Sequence, residues 1–321
     1  MAKIDLKDMK ILYELSKDCR QSLSQISKKV GLKREVVDYR IRKLVRTNII
    51  TNFITDIDET KLGYQRHLVY FAFQNIKNED EIVNYIIKHP FTSYTTTSTG
   101  KWSIILDYIA KDLNHVNKFI DEIKTNFPGK IADYFVTSLI EFKHFNSKFY
   151  NIKGTPTSKS LKHTKHKIDK TDLELLKILS NNARAGYVDL SKELKLSPNG
   201  IKNRINTLVN SKIIKSFFIN PNKFNLGYEL YYIQLDLVNE TKQQEKDLIN
   251  FIKKHPRMNA YYRPLGQGIE IIVFVENSTE LRNIILELRN KFANIIKIRD
   301  TMLYYAEDKG NYLPAGVFDN F

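Results

Sequence analysis

Asn199, Asn203, Asn206 and Asn210, with Lys202 among them, recur at three- and four-residue intervals. That spacing gathers side chains on one face of an α-helix. An asparagine amide can pair bidentately with the edge of adenine, and an ammonium group neutralises phosphate, so the face suits recognition of a nucleic acid. A second face of this kind lies 164 positions earlier and is richer in guanidinium: Tyr39, Arg42 and Arg46 point outward with Glu35, and Asp38 lies near its edge. The candidate contacts are Lys33, Arg34, Tyr39, Arg40, Arg42, Lys43 and Arg46 on the first face, and Ser197, Asn199, Lys202, Asn203, Arg204 and Asn206 on the second.

Helices must carry both faces. Val37, Ile41, Leu44 and Val45 form the apolar side of the first, and Ile201, Ile205, Leu208 and Val209 that of the second. Ser197 followed by Pro198 is a strong start signal: the serine oxygen can accept from free N–H groups, and proline fits the first helical position. Lys33 and Arg34 stand there in the earlier copy, so its helix is capped less well. Upstream, IDLKDMKILYELSKDCRQSLSQISKKVGL (4–32) lies over IDKTDLELLKILSNNARAGYVDLSKELKL (168–196) without a gap. Each stretch reads as two amphipathic helices, and a turn at Gly31 or Lys195 leads into the third. Helix, short turn, helix is the layout of a DNA-reading motif. Downstream, IITNFITDID and IIKSFFINPN alternate like a short β-wing.

The repeat continues through Leu62-Gly63-Tyr64 and Leu226-Gly227-Tyr228 into strands, where Val69, Phe71 and Phe73 match Ile233, Leu235 and Leu237. Helices ending in His-Pro follow, then a glycine-containing turn with a strand, another helix and a last strand. The order β-α-β-β-α-β is that of a ferredoxin-like domain. The expected fold is therefore α+β, with two winged helix-turn-helix domains (1–58 and 168–222) and two ferredoxin-like domains (62–143 and 226–307). A basic linker (144–167) and a C-terminal tail (308–321) complete the chain.

NNARAGYVDLSKELKLSPNGIKNRINTLVNSKII with NPNKFNLGY resembles the DNA-binding signature of the Lrp/AsnC transcription regulators, here in tandem form. The resemblance covers nearly the whole chain and implies a regulatory (RAM-type) role for the ferredoxin-like domains. It also implies a sequence-specific regulator of double-stranded DNA. Regulatory domains of that family pair through their sheets, so one chain can supply both partners as an internal pseudo-dimer, open to further homo-oligomerisation. Tyr70 and Ala72 of one half and Gln234 and Asp236 of the other would then face each other. These unlike surfaces suit a heterologous pairing.

Composition agrees with a polyanionic partner. The 321 residues carry a formal net charge of +15, and residues 1–50 hold 13 Lys/Arg against 6 Asp/Glu. The linker sequence is rich in lysine and free of acids. A single cysteine, Cys19, excludes an internal disulfide and cysteine-rich metal sites, and is expected half-buried in a helix of a cytoplasmic protein. No apolar run approaches the ~20 residues of a membrane span, and MAKIDLKDMK is no secretory signal. GxGxxG, P-loop and HExxH motifs are absent, so neither a metal nor another cofactor is expected, and no enzymatic activity. His89 and His255, in the His-Pro pairs, are expected to serve helix C-termini.

The two faces predict a division of labour. Base readout falls to the asparagine-rich helix and backbone contact to the arginine-rich one, where two acids repel phosphate unless they accept from cytosine or pair with Arg34 and Arg42. Resemblance also places a small-molecule effector, usually an amino acid, near a Gly-x-x-Asp turn between regulatory domains. Here Gly100 is followed by Lys101, Trp102 and Ser103, and Gly266 by Gln267, Gly268 and Ile269. The aspartate is missing from both turns, which argues against an amino acid and leaves Gly100, Trp102, Ser103, Gly266 and Gly268 as candidates toward another ligand.

Two alternatives stand beside this reading. The same paired unit resembles siroheme decarboxylase, a tetrapyrrole enzyme, through Tyr261-Tyr262-Arg263-Pro264, although LGQGIEI replaces the Trp-Pro-Tyr stretch expected next. The other is an architectural protein binding DNA with little sequence choice. RNA binding on the sheets lacks the aromatic signature it requires.

Overall fold

The computed structural model describes residues 4–75, 77–145, 150, 165–266, 268–310 and 312–319. Residues 146–149 and 151–164 of the basic linker lie outside the described residues. The first repeat comprises α1 (Leu6–Lys17), α2 (Leu23–Val30), α3 (Arg34–Arg46), β1 (Ile50–Ile57), β2 (Gln65–Phe73), α4 (Asp80–Lys88), β3 (Thr92–Ser98), β4 (Ile104–Ala110), α5 (Leu113–Asn126) and β5 (Ile131–His144). The second follows the same order with α6 (Lys170–Asn181), α7 (Tyr187–Glu193), α8 (Pro198–Asn210), β6 (Ile214–Pro221), β7 (Glu229–Leu237), α9 (Lys242–Lys254), β8 (Met258–Pro264), β9 (Ile269–Val275), α10 (Ser278–Phe292) and β10 (Ile296–Gly310).

Local signals place the helix ends. Gly31 closes α2 with φ 70°, and Lys195 occupies the matching turn with φ 52°. A left-handed conformation is free for glycine and costs a side-chain-bearing residue ~1 kcal/mol. Ser197 accepts the Gly200 N–H (3.0 Å) with Pro198 at the first position of α8, whereas Lys33 makes no side-chain cap on α3.

Two compact units result, and each draws on both repeats. One holds the six N-terminal helices of the repeats with β1 and β6. These two strands pair antiparallel with each other, Phe53 opposite Ile219 and Thr55 opposite Phe217. The expected wing strands therefore find their partners across the repeats. An isolated strand exposes a row of unpaired N–H and C=O groups, and the matching strand of the other repeat satisfies them here. α1 packs on β6 and α6 on β1, so each three-helix core is completed by the other repeat's strand. The segment 312–319 joins this unit: Leu313 and Val317 are buried, and the Tyr312 ring meets Phe218 edge-on at 5.2 Å.

The other unit is a closed eight-stranded barrel of order β10-β3-β4-β2-β5-β8-β9-β7. Each half is a four-stranded ferredoxin-like sheet covered on one face by two helices. Val69, Phe71 and Leu106 pack against Ile86, Phe119 and Ile123 in the first half, and Ile233, Leu235 and Ile271 against Leu248, Ile252 and Ile284 in the second. Alternation turns the remaining side chains inward, where the halves meet. There the Tyr70 hydroxyl donates to Glu270 at 2.8 Å, and the Tyr232 hydroxyl and the Gln234 amide donate to the same carboxylate. Burial raises the Glu270 carboxyl above its ordinary range.

His89 and His255 do cap α4 and α9. Their backbone N–H groups donate to Tyr85 and Phe251, and their Nδ1 atoms accept from the N–H groups of Phe91 and Arg257. Cys19 departs from expectation: it is fully buried in the turn after α1, and burial pushes its thiol up to about 12.

Candidate nucleic-acid interface

A carboxylate clamp aims each third helix. Asp5 caps α1 by accepting the Asp8 N–H (2.8 Å), and the Asp8 side chain accepts the Asp5 N–H in return. Arg40 of α3 then reaches back to both acids, at 2.9 Å and 2.7 Å. The second repeat builds the same device from Asp169, Asp172 and Arg204, again at 2.9 Å and 2.7 Å. Hydrogen bonding from the Asp8 N–H, with Arg40 adding to it, holds the Asp5 carboxyl below its ordinary range. Arg40 and Arg204, expected among the DNA contacts, each spend one terminal nitrogen on these acids and so also fix the third helix on the first.

What remains outward differs between the helices. On α3, Lys33, Arg34, Glu35, Tyr39, Arg42 and Arg46 are exposed, Lys43 is half-buried, and Arg42 binds Asp38 at 2.8 Å. One of the two acids is thereby neutralised within the helix. On α8, Asn199, Lys202, Asn203 and Asn206 are exposed. The Ser197 oxygen accepts the capping bond and keeps its O–H to donate. Val45, read as a core position, is 44% exposed; Ile41 and Leu44 already fill the buried stripe beside it.

Sequence reasoning passed over the residues that couple the two heads. Arg20 donates to the carbonyls of Ala183 (2.6 Å) and Ala185 (3.1 Å), and Arg184 donates to that of Cys19 (2.5 Å). Main-chain bonds from Cys19 to Phe217 and from Ala183 to Phe53 flank them. Both arginines stand at the same repeat position, in the turn between the first and second helices. That repetition was the signal available.

The candidate effector residues are placed mostly by packing. Trp102 is buried, with its ring 5.6 Å from Tyr70, and the Ser103 hydroxyl accepts the Phe73 N–H at 3.0 Å. A Cβ on Gly268 would lie 1.9 Å from the Leu235 carbonyl oxygen, so the approach of β7 demands glycine. Gly100 and Gly266 take left-handed turn conformations. Among the described residues no group of three or more His, Cys, Asp or Glu is placed to hold a metal, and no helix is long and apolar enough to cross a membrane.

Comparison with known proteins follows the repeat. The profile of the AsnC-type helix-turn-helix domain matches residues 4–45, and that of a winged helix-turn-helix DNA-binding domain matches residues 168–215. The HTH-type transcriptional regulator LysM of Saccharolobus solfataricus is 35% identical over 125 residues, which are 38% of this chain and 84% of LysM. The HTH-type transcriptional regulator Ptr1 of Methanocaldococcus jannaschii is 31% identical over 99 residues, 29% of this chain and 67% of Ptr1. Over nearly full length the fold is similar to the crystal structure of the siroheme decarboxylase NirDL, with a TM-score of 0.63, 12% identity and coverage of 96% of this chain and 94% of that one. At that identity the likeness is one of fold.

Proposed function

Because the chain belongs to the Lrp/AsnC family of helix-turn-helix transcription regulators, we propose that it binds double-stranded DNA sequence-specifically through two unlike reading helices. The observation that carries this reading is the outward face of α8. Among the described residues, the side chains of Asn199, Lys202, Asn203 and Asn206 are exposed and make no hydrogen bond within the protein, while the neighbouring Arg204 turns one terminal nitrogen back to Asp169 and Asp172. Such donors are left for a partner. Lys33, Arg34 and Arg46 offer phosphate contacts on the other head.

In this reading the barrel is a scaffold rather than a catalytic centre. Arg263, the cation of the Tyr-Tyr-Arg-Pro segment that a tetrapyrrole carboxylate would require, is bound to Glu245 of α9 at 2.7 Å. Tyr262 of the same segment stacks on Phe142 at 4.7 Å.

Titration of a labelled duplex at increasing potassium chloride, read by fluorescence anisotropy, tests the reading. Each phosphate neutralised contributes about −0.9 to the slope of log K against log salt, so several lysines and arginines should give about −4 or steeper. A salt-independent signal or no binding would oppose it, and a Soret-band shift on adding an iron porphyrin would favour the enzyme instead.

A further inference from the structure

We propose that the cleft between α3 and the α6–α7 turn binds an organic anion with an apolar body. Its volume is about 680 Å³, within the range of small-molecule sites. Leu23, Val45 and Phe53 supply apolar wall, and Arg42, Arg46 and Arg184 supply guanidinium groups. Asp38 is the acid of the lining and already holds Arg42 at 2.8 Å. A carboxylate or sulfonate is therefore attracted, and a free ammonium group finds no unpaired acid among the lining residues.

The matching positions of the other repeat sharpen the assignment. A shift of 164 turns Leu23 into Tyr187, Arg42 into Asn206 and Arg46 into Asn210. Tyr187 lies under Arg20, with the guanidinium 5.0 Å from its ring, and Phe217 lies 5.5 Å away. The second seam thus has a tyrosine where the first has a smaller leucine, and amides where the first has guanidiniums. The smaller leucine leaves the cleft open beside α3, and the guanidiniums that line it are shared with the outward face of that helix.

One wall of the cleft is the reading helix itself, so an occupant there competes with or reorients the phosphate-contacting Arg42 and Arg46. That consequence rests on the proposed DNA reading; the binding site does not.

The test uses the full chain and 8-anilinonaphthalene-1-sulfonate, followed by fluorescence and equilibrium dialysis. One equivalent should bind, and Leu23→Tyr, which installs the other repeat's residue, should weaken it about tenfold or more. Arg46→Glu, at an exposed position outside the core, should do the same and decides the matter if Leu23→Tyr folds poorly. Displacement of the probe by duplex DNA would add the coupling to α3. No binding at about 100 μM probe, or binding unchanged in both variants, would overturn the site. Probe binding that obeys both variants in a protein without affinity for DNA would keep the site and discard the DNA reading.

Discussion

Asp107→Ala is expected to destabilise the barrel by about 3–5 kcal/mol, the cost of removing one partner from a buried ion pair. Asp107 holds Arg66 at 2.7 Å with side-chain exposures of 4% and 6%, and Arg66 lies over the Phe142 ring at 5.9 Å. Without the carboxylate, the guanidinium keeps its desolvation cost and loses its compensating charge. The double replacement Arg66→Met with Asp107→Leu removes both charges and should recover most of the loss. Urea unfolding reads the effect as a lower midpoint at unchanged slope. A loss below about 1 kcal/mol, the range of exposed pairs, would mean that water reaches this pair.

The second large effect separates the two heads. Asn203→Ala should leave affinity for random DNA nearly intact and lower discrimination between preferred and altered sites by about 1–3 kcal/mol, the worth of one bidentate base contact. Arg42→Ala should weaken binding to all sequences alike and reduce the salt slope by about 1. It also frees the Asp38 carboxylate, which Arg42 neutralises at 2.8 Å, so repulsion of phosphate adds to the lost contact. Parallel titrations on preferred and scrambled duplexes distinguish the outcomes. Equal responses of the two variants would remove the division of labour.

The architecture was legible because most of its signals are local. Apolar spacing marks the buried stripe of α8, Ser197-Pro198 marks its start, and the left-handed turn after α2 favours the glycine found at Gly31. Alternation along β2 and β7 also separated Val69 and Ile233, which face helices, from Tyr70 and Gln234, which meet at Glu270. Partnership was harder to read. Nothing in IITNFITDID says whether it folds back on itself or pairs with IIKSFFINPN, because a strand's edge accepts any strand of fitting length. The inward pairing of Arg40 and Arg204 was equally hidden, because their carboxylate partners stand 32 and 35 positions away. The doubled chain held a usable hint, since Asp5, Asp8 and Arg40 recur as Asp169, Asp172 and Arg204. Cys19 misled because burial at a turn is decided by what the other repeat places there, here Phe217 and Arg184, and Val45 because Ile41 and Leu44 already fill the helical stripe.

In the proposed function one chain carries two unlike DNA-reading heads, held together by β1 and β6 and by Arg20 and Arg184. Selection of fragmented genomic DNA by the purified full chain at physiological salt, followed by sequencing, tests it most directly. Enrichment of a small set of fragments sharing two unlike half-sites at fixed spacing is expected. Uniform retention without a motif, or no retention, would contradict it.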